Sequence, residues 1–294
     1  MDENFLNGLF PALLTPFKEN EALDENGLQL LVERLVNQGA DGLYVCGSSG
    51  EVMLLSLEER KRILEIVTGM VGDRLTVVAH IGCQRTADTL ELALHAQRQG
   101  ARAISALPPI YYKYTIQEVS AYYRELMDAV KLPFIVYNAP VFTGMSFDQS
   151  NIAEIFAHPN ACGMKFTSYD SYSMQRLLSQ YPQKTMINGH DETYLPSLAL
   201  GVECAIGSTL NFTLGNFRHI TERFQAGDMK TARNGQDKIN GIMDILLEVG
   251  IFRGLKGVMA LLGLSLGNCR RPIMPITNQE QKKLERILPL IVGA

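Results

Sequence analysis

The sequence lacks the features of secreted, membrane and nucleic-acid-binding proteins. Its cysteines are few, odd in number and never arranged as CxxC, at Cys46, Cys83, Cys162, Cys204 and Cys269. This spacing argues against a disulfide framework and favours reduced thiols. No apolar run approaches the about 18 residues that span a membrane, and the acidic N-terminus does not resemble a signal peptide. We therefore expect a cytoplasmic protein without a membrane partner.

The sequence also lacks an excess of basic residues. The chain has 27 Lys and Arg against 31 Asp and Glu, for a net charge of -4, so a nucleic-acid partner is not expected. His80 and His190 are isolated, without HxH, HExxH or clustered carboxylates, and this predicts no metal site. An anionic small-molecule substrate would need a local cradle of N–H groups or hydroxyls.

What the sequence does have is a regular alternation of short apolar runs and helical segments. Eight apolar runs are interpreted as strands near 8–17, 42–47, 75–81, 103–108, 133–139, 161–168, 185–190 and 204–209. Strands that alternate with helices and are nearly continuous apolar runs are typical of a buried parallel sheet. Eight such units predict an α/β fold, a (β/α)8 TIM barrel. An open doubly wound sheet would more often show GxGxxG after its first strand, where this chain has LLTPF.

After about residue 226 the strand pattern stops. Helical patterns continue at 229–249, 251–264 and 278–291. We therefore predict a catalytic barrel over 1–225 and a C-terminal helical extension, packed on the barrel, over 226–294.

Lys165 is the most informative residue, because it lies within the sixth predicted strand. Strand alternation turns Met164 and Phe166 to one face and Lys165 and Thr167 to the other. If the apolar pair faces the helices, Lys165 points into the barrel, where lysine is rare. Burial favours the neutral form of an amine, which can attack a ketone and form an imine. The alternative is a strand-end lysine that reaches solvent.

Other polar residues fall at the carboxyl ends of the strands, where barrel enzymes place their active sites. Tyr137 on the fifth strand is either a core tyrosine or a proton-transfer group. The segment Gly47-Ser48-Ser49-Gly50 is either a plain turn or a nest for a carboxylate. Asp191 and Glu192 either cap a helix or accept hydrogen bonds from a polyol.

Taken in order, five motifs resemble one family. They are GSSGE (47–51), YNAP (137–140), GMKFTS (163–168), GHDE (189–192) and IGST (206–209). Together they are similar to the N-acetylneuraminate lyase and dihydrodipicolinate synthase family, and the likeness runs from about residue 8 to about residue 275.

The resemblance implies a role for each matching residue. Lys165 would form the Schiff base, without any other cofactor, and Tyr137 would transfer the proton. Ser48 and Ser49 would hold the substrate carboxylate and tune Tyr137. Tyr111 matches a tyrosine that reaches a neighbouring subunit, which implies a homotetramer. The positions that would contact the sugar portion are Thr167, Gly189, Asp191, Glu192 and Ser208.

Two features favour the lyase branch of this family. The synthases carry an arginine after YNAP for a second carboxylate, whereas this chain has Val141-Phe142-Thr143. The element Gly189-His190-Asp191-Glu192 resembles the lyases, although His190 replaces an aromatic residue. The expected activity is cleavage of a sialic acid to pyruvate and N-acetylmannosamine. The alternatives are another pyruvate-dependent aldolase or dehydratase and a silent sensor of 2-oxo acids.

Overall fold

The fold is a barrel of eight parallel strands, described by a computed structural model over residues 5–291. The hydrogen-bonded order is β1-β8-β7-β6-β5-β4-β3-β2, and a parallel bridge between Ala12 and Tyr44 brings the two end strands together. The predicted (β/α)8 fold is therefore confirmed. The strands are β1 (Gly8–Pro11), β2 (Gly42–Val45), β3 (Thr76–His80), β4 (Ala103–Ala106), β5 (Phe134–Asn138), β6 (Ala161–Phe166), β7 (Thr185–Asn188) and β8 (Cys204–Gly207).

Helices fill the connections between the strands and continue beyond the last one. The α-helices are α1 (Glu25–Asn37), α2 (Leu57–Val71), α3 (Thr86–Arg98), α4 (Ile116–Ala129), α5 (Pro140–Thr143), α6 (Ala153–Phe156), α7 (Ser171–Gln180), α8 (Tyr194–Ala199), α9 (Leu210–Gln225), α10 (Met229–Val249), α11 (Ile251–Leu261) and α12 (Asn278–Leu284). Short 3-10 turns cover Ser48–Gly50, Val52–Leu54, Gly72–Arg74, Asp191–Thr193 and Glu285–Leu290. None of the helices within residues 5–291 combines the length and apolar character needed to cross a membrane.

Local sequence signals explain where several helices begin. Ser56 and Glu59 form a reciprocal capping box at the start of α2, and Thr115 and Glu118 do the same for α4. Each box satisfies backbone N–H groups that the first helical turn leaves without partners. Asp24 caps α1 by accepting a hydrogen bond from the Gly27 amide.

Apolar side chains pack in two layers on either side of the strands. The larger layer lies between strands and helices and includes Met164 and Phe166. The smaller one fills the barrel interior and includes Phe10, Tyr44 and Tyr137. Because neighbouring strand residues point to opposite faces, this separation turns Lys165 inward, as the alternation predicted.

The strands are all somewhat shorter than their predicted runs, and two elements, β1 and the last helix, differ most from the prediction. Strand β1 was expected to reach residue 17 but ends at Pro11, although the Ala12 and Leu13 amides beyond it still donate to the Gly207 and Tyr44 carbonyls of the neighbouring strands, each at 2.9 Å. The following segment is held by other partners, since Thr15 Oγ1 donates to the Gly50 carbonyl at 2.7 Å. The last helix was expected over 278–291, but α12 ends at Leu284 and a 3-10 turn containing Pro289 follows.

The predicted boundary at residue 226 falls in the turn between α9 and α10. Helix α10 packs along α9 and also contacts the 3-10 turn Asp191–Thr193. The division into a barrel domain and an extension stays a prediction. Residues 1–4 and 292–294, which belong to its two ends, lie outside the described residues.

Candidate active site

Lys165 lies near the carboxyl end of β6, directly beside Tyr137 on β5. Its side chain is only 5% exposed. The Nζ atom sits 4.0 Å from the centre of the Tyr137 ring and 4.7 Å from the centre of the Tyr44 ring. Two aromatic rings therefore line the buried amine, and a lysine that is desolvated in this way can act as a nucleophile.

Tyr137 is buried and its ring is fixed by edge-to-face contacts. Its centroid lies 6.2 Å from that of Tyr44 and 6.0 Å from that of His80. Burial by itself would raise the pKa of the phenol. The charge of Lys165 and side-chain contacts from Lys165, Ser48 and Thr167 act against it, and the pKa of Tyr137 lies below its ordinary value. A phenol with a lowered pKa gives up and accepts a proton nearer neutral pH.

Tyr44 and His80 complete this aromatic wall, and neither was predicted as a site residue. Tyr44 donates to Ser105 Oγ at 3.1 Å, and burial raises its pKa well above the ordinary value. His80 Nε2 accepts from the Leu107 amide at 3.2 Å, and burial holds its pKa well below the usual range. Both groups are therefore neutral packing partners. The alternation that turned Lys165 inward, applied to β2, would have identified Tyr44.

Ser48 and Ser49 lie in a 3-10 turn that follows β2. Ser49 Oγ and Ser208 Oγ are 2.6 Å apart, so two predicted substrate-binding hydroxyls from opposite parts of the chain meet. Ser48 also acts on the phenol of Tyr137. The structure thus brings both serines to the same end of the barrel as Lys165.

Glu51 anchors this turn to the C-terminal helices, a role that sequence reasoning missed. It adopts a left-handed conformation with φ of 60°. Its carboxylate forms a buried ion pair with Lys256 Nζ at 2.7 Å and accepts the Arg270 amide at 2.9 Å. Burial lowers the pKa of Lys256. No pattern near residue 51 indicated a partner so distant in the chain.

Asp191 is buried and is used largely inside the protein. Its Oδ2 accepts both the amide and the hydroxyl of Thr209, each at 2.8 Å. Its Oδ1 has no hydrogen-bond partner in the described part of the chain and lies against Gly207, where a Cβ atom would come within 1.9 Å. Burial raises the pKa of Asp191 to about 6. The carboxylate therefore orders the start of the loop after β8.

Glu192 and Thr167 lie at the mouth of the barrel. Glu192 accepts a hydrogen bond from Tyr169 Oη at 2.5 Å and lies 3.3 Å from His190 Nδ1. Burial would raise its pKa, but these two side chains outweigh that effect and lower the pKa of Glu192 to about 2. Gly189 lets the backbone pass close to Thr167, since a Cβ there would lie 2.0 Å from Thr167 Oγ1.

Tyr111 is the predicted site residue that the single chain does not bring to Lys165. Its side chain is 90% exposed and its φ is 83°. Its ring packs edge-on against that of Tyr112, with the ring centroids 5.1 Å apart. A contribution of Tyr111 to a neighbouring subunit stays a prediction. Across residues 5–291, no three His, Cys, Asp or Glu side chains are grouped as they would be around a metal ion, and the absence of a cofactor likewise stays a prediction.

Comparisons with known proteins identify the family. A family model described as the dihydrodipicolinate synthetase family matches residues 5–290. The N-acetylneuraminate lyase of Rhizobium meliloti (strain 1021) is 40% identical over 287 residues, which cover 97% of this chain and 96% of that protein. The structure of CdNal from Clostridium difficile in complex with mannosamine has a TM-score of 0.94 and 31% identity, covering 97% of this chain and 99% of that one.

A second similar structure is that of an aldolase whose catalytic lysine is mutated. It is a catalytic lysine mutant of the Ruminococcus gnavus sialic acid aldolase, with a TM-score of 0.93 and 29% identity, covering 97% of this chain and 95% of that one. Fold, sequence and motifs agree over nearly the whole chain. This protein belongs to the dihydrodipicolinate synthetase family.

Proposed function

We propose that this protein is a class I carbon–carbon lyase that cleaves N-acetylneuraminate to pyruvate and N-acetylmannosamine through an imine on Lys165. The observation that carries the proposal is the contrast between two buried lysines. Lys256 is neutralised by Glu51 at 2.7 Å, whereas Lys165 lies between the rings of Tyr44 and Tyr137. A buried lysine held beside a phenol suits nucleophilic attack on a carbonyl.

The first half of the reaction joins enzyme and substrate. Lys165, deprotonated for the attack, adds to C2 of the open-chain 2-oxo acid. The Tyr137 phenol then gives its proton to the departing hydroxyl, so that water leaves and a protonated imine forms. The hydroxyls of Ser48 and Ser49 bind the substrate carboxylate, which fixes C2 near Nζ. The positive imine then withdraws electrons from the C3–C4 bond.

The second half breaks the carbon–carbon bond. Tyr137 takes the proton of the C4 hydroxyl, the C3–C4 electron pair moves toward the imine, and C4 leaves as the aldehyde of N-acetylmannosamine. The resulting enamine is protonated at C3 and hydrolysed, which releases pyruvate and regenerates Lys165. The lowered pKa of Tyr137 makes the phenol a suitable carrier of this proton.

The proposal includes a cytoplasmic homotetramer without a separate cofactor. Free thiols at all five cysteines support an intracellular setting. The exposed Tyr111 and Tyr112 rings, 90% and 70% accessible, support a contact with another copy.

The test measures release of pyruvate from N-acetylneuraminate, with the pyruvate detected through its reduction in a coupled enzyme assay. N-acetylmannosamine is identified as the second product. Lys165→Ala should abolish turnover, and borohydride with pyruvate should label the wild-type protein at Lys165 and leave the variant unlabelled. Substantial activity in Lys165→Ala would refute the imine mechanism. Labelling without cleavage of N-acetylneuraminate would move the assignment to another 2-oxo sugar acid, and no labelling would favour a silent binder.

A further inference from the structure

Tyr169 and His190 form a stacked pair at the mouth of the barrel. Their ring centroids are 4.3 Å apart and their planes differ by 8°. Tyr169 follows β6 and is 62% exposed, whereas the His190 side chain, which follows β7, is only 18% exposed. Stacking of this kind restricts both side chains to one orientation.

The stacked pair converges on a single carboxylate oxygen. Tyr169 Oη donates to Glu192 Oε1 at 2.5 Å, and His190 Nδ1 lies 3.3 Å from the same oxygen. The Glu192 side chain is itself only 18% exposed. Short hydrogen bonds from charged or polar donors hold a carboxylate more firmly than ordinary ones.

The imidazole of His190 is held by its stacking on Tyr169 and by its contact with Glu192. His190 Nε2 is buried and has no hydrogen-bond partner among residues 5–291. The ring is therefore held through its stacking face and through Nδ1. Its position depends on Tyr169 and Glu192, which makes the three side chains one unit.

The neighbouring carboxylate, that of Asp191, is already hydrogen-bonded within the protein. Asp191 Oδ2 is occupied by the amide and hydroxyl of Thr209, and Asp191 Oδ1 is turned against Gly207. Glu192 Oε2, in contrast, accepts no hydrogen bond from another side chain in the described part of the protein. It is the carboxylate oxygen left to meet a ligand.

We propose that Tyr169 and His190 are positioning residues that set the enzyme's specificity for the distal end of its substrate. They hold Glu192 Oε1 and present Oε2 as a fixed acceptor. This inference rests on the proposed function, since it assigns the polyol end of the 2-oxo sugar acid to Glu192. An ionised carboxylate can only accept hydrogen bonds, so the site selects substrates with free distal hydroxyls.

Substrates without those hydroxyl donors should be disfavoured. Esterification of the distal hydroxyls, as in an O-acetylated sialic acid, removes the hydrogen that Oε2 would accept. Truncation of the substrate after C6 removes the group entirely. In both cases Glu192 Oε2 would face the bound substrate without a hydrogen-bond donor, and leaving a partly buried charged acceptor unpaired is costly.

The test compares variants that keep the stack and remove one contact each. His190→Phe and Tyr169→Phe retain an aromatic ring but lose the group that faces Glu192. Each should raise KM for N-acetylneuraminate about tenfold with little change in kcat, as expected for loss of one hydrogen bond to a charged group. Neither should change KM for the analogue truncated after C6. Tyr172→Phe is the matched control, because Tyr172 is an exposed tyrosine that faces Arg176.

A double-variant comparison shows whether the effect passes through Glu192. In a Glu192→Gln background, His190→Phe should add no further rise in KM. A full tenfold effect in that background, or an equal rise for the truncated analogue, would overturn the proposal. An unchanged KM in both single variants would overturn it as well.

Measurements of substrate binding without turnover test the positioning role independently of the proposed lyase activity. Calorimetry on Lys165→Ala, with and without His190→Phe, measures the Kd of the intact sugar acid without turnover. An about tenfold weaker Kd in the double variant supports the positioning role even if the wild-type protein releases no pyruvate. Equal Kd values, or no binding by either variant, would refute it.

Discussion

Asp191 should make the stability of this protein depend on pH in a direction unusual for a carboxylate. Burial raises its pKa from 3.8 to about 6. Between these values the folded protein retains a proton that the unfolded chain has released. The free energy of unfolding therefore falls as pH rises through this window. A shift of about two units corresponds to about 3 kcal/mol, fully expressed above pH 6.

Replacing Asp191 with asparagine removes the titration and keeps the shape. The asparagine oxygen can still accept the Thr209 amide and hydroxyl, which Asp191 holds at 2.8 Å. Relative to the wild type, Asp191→Asn should gain about 3 kcal/mol of stability between pH 4 and pH 7. The difference should be smallest at pH 4, where the wild-type carboxyl is largely protonated in the folded state.

Urea-induced unfolding at pH 4, 5, 6 and 7 and constant ionic strength measures this difference. Carboxylates that do not interact with Asp191 titrate equally in both proteins and cancel in the comparison. Glu192→Gln is a second probe, because the charge of Glu192 is one cause of the raised pKa of Asp191. In its background the gain from Asp191→Asn should shrink. Unfolding curves that stay parallel across the pH range would refute this account of Asp191.

Three further changes test the site and its supports. Tyr137→Phe keeps the aromatic packing but should slow carbon–carbon cleavage by about 10²–10⁴-fold in single-turnover assays, while borohydride trapping of pyruvate continues; an unchanged rate would remove the phenol from the mechanism. Gly189→Ala places a methyl group 2.0 Å from Thr167 Oγ1 and should raise KM and lower the melting temperature, with Thr167→Ala restoring part of the melting temperature if this clash is the cause. Glu51→Gln leaves Lys256 buried without its counter-charge and should cost about 3 kcal/mol in urea unfolding; a paired change of both residues to apolar side chains should cost less, and equal losses would contradict the ion-pair explanation.

The alternation of side chains along each strand was the most informative sequence pattern, because it predicted which residues face the barrel interior. Met164 and Phe166 belong to the layer beneath the helices, which leaves Lys165 facing the barrel interior. The number of strands was also predictable from the sequence. Each buried strand must be apolar on both faces, so it stands out as a short apolar run between helical segments. Helix starts such as Ser56 are also encoded locally, since a cap and its partner lie three residues apart.

Strand lengths were less well predicted, because pairing depends on neighbours. The segment after Leu13 is apolar enough to extend β1, but its groups bond to other parts of the chain, such as the contact of Thr15 with Gly50. Apolar composition indicates burial and does not specify which partner a backbone group will find.

The sequence by itself determined the barrel, the inward lysine and the group of polar residues at the carboxyl ends of the strands, because these follow from residue spacing within single elements. Only the tertiary structure decided how those residues act on one another. It joined Ser49 to Ser208, paired Glu51 with Lys256, and turned Asp191 inward while placing Glu192 in contact with both Tyr169 and His190. Apart from the contact of His190 with Glu192, these contacts join residues from different strands and connections, and their distances arise only when the closed barrel brings the ends of those strands together.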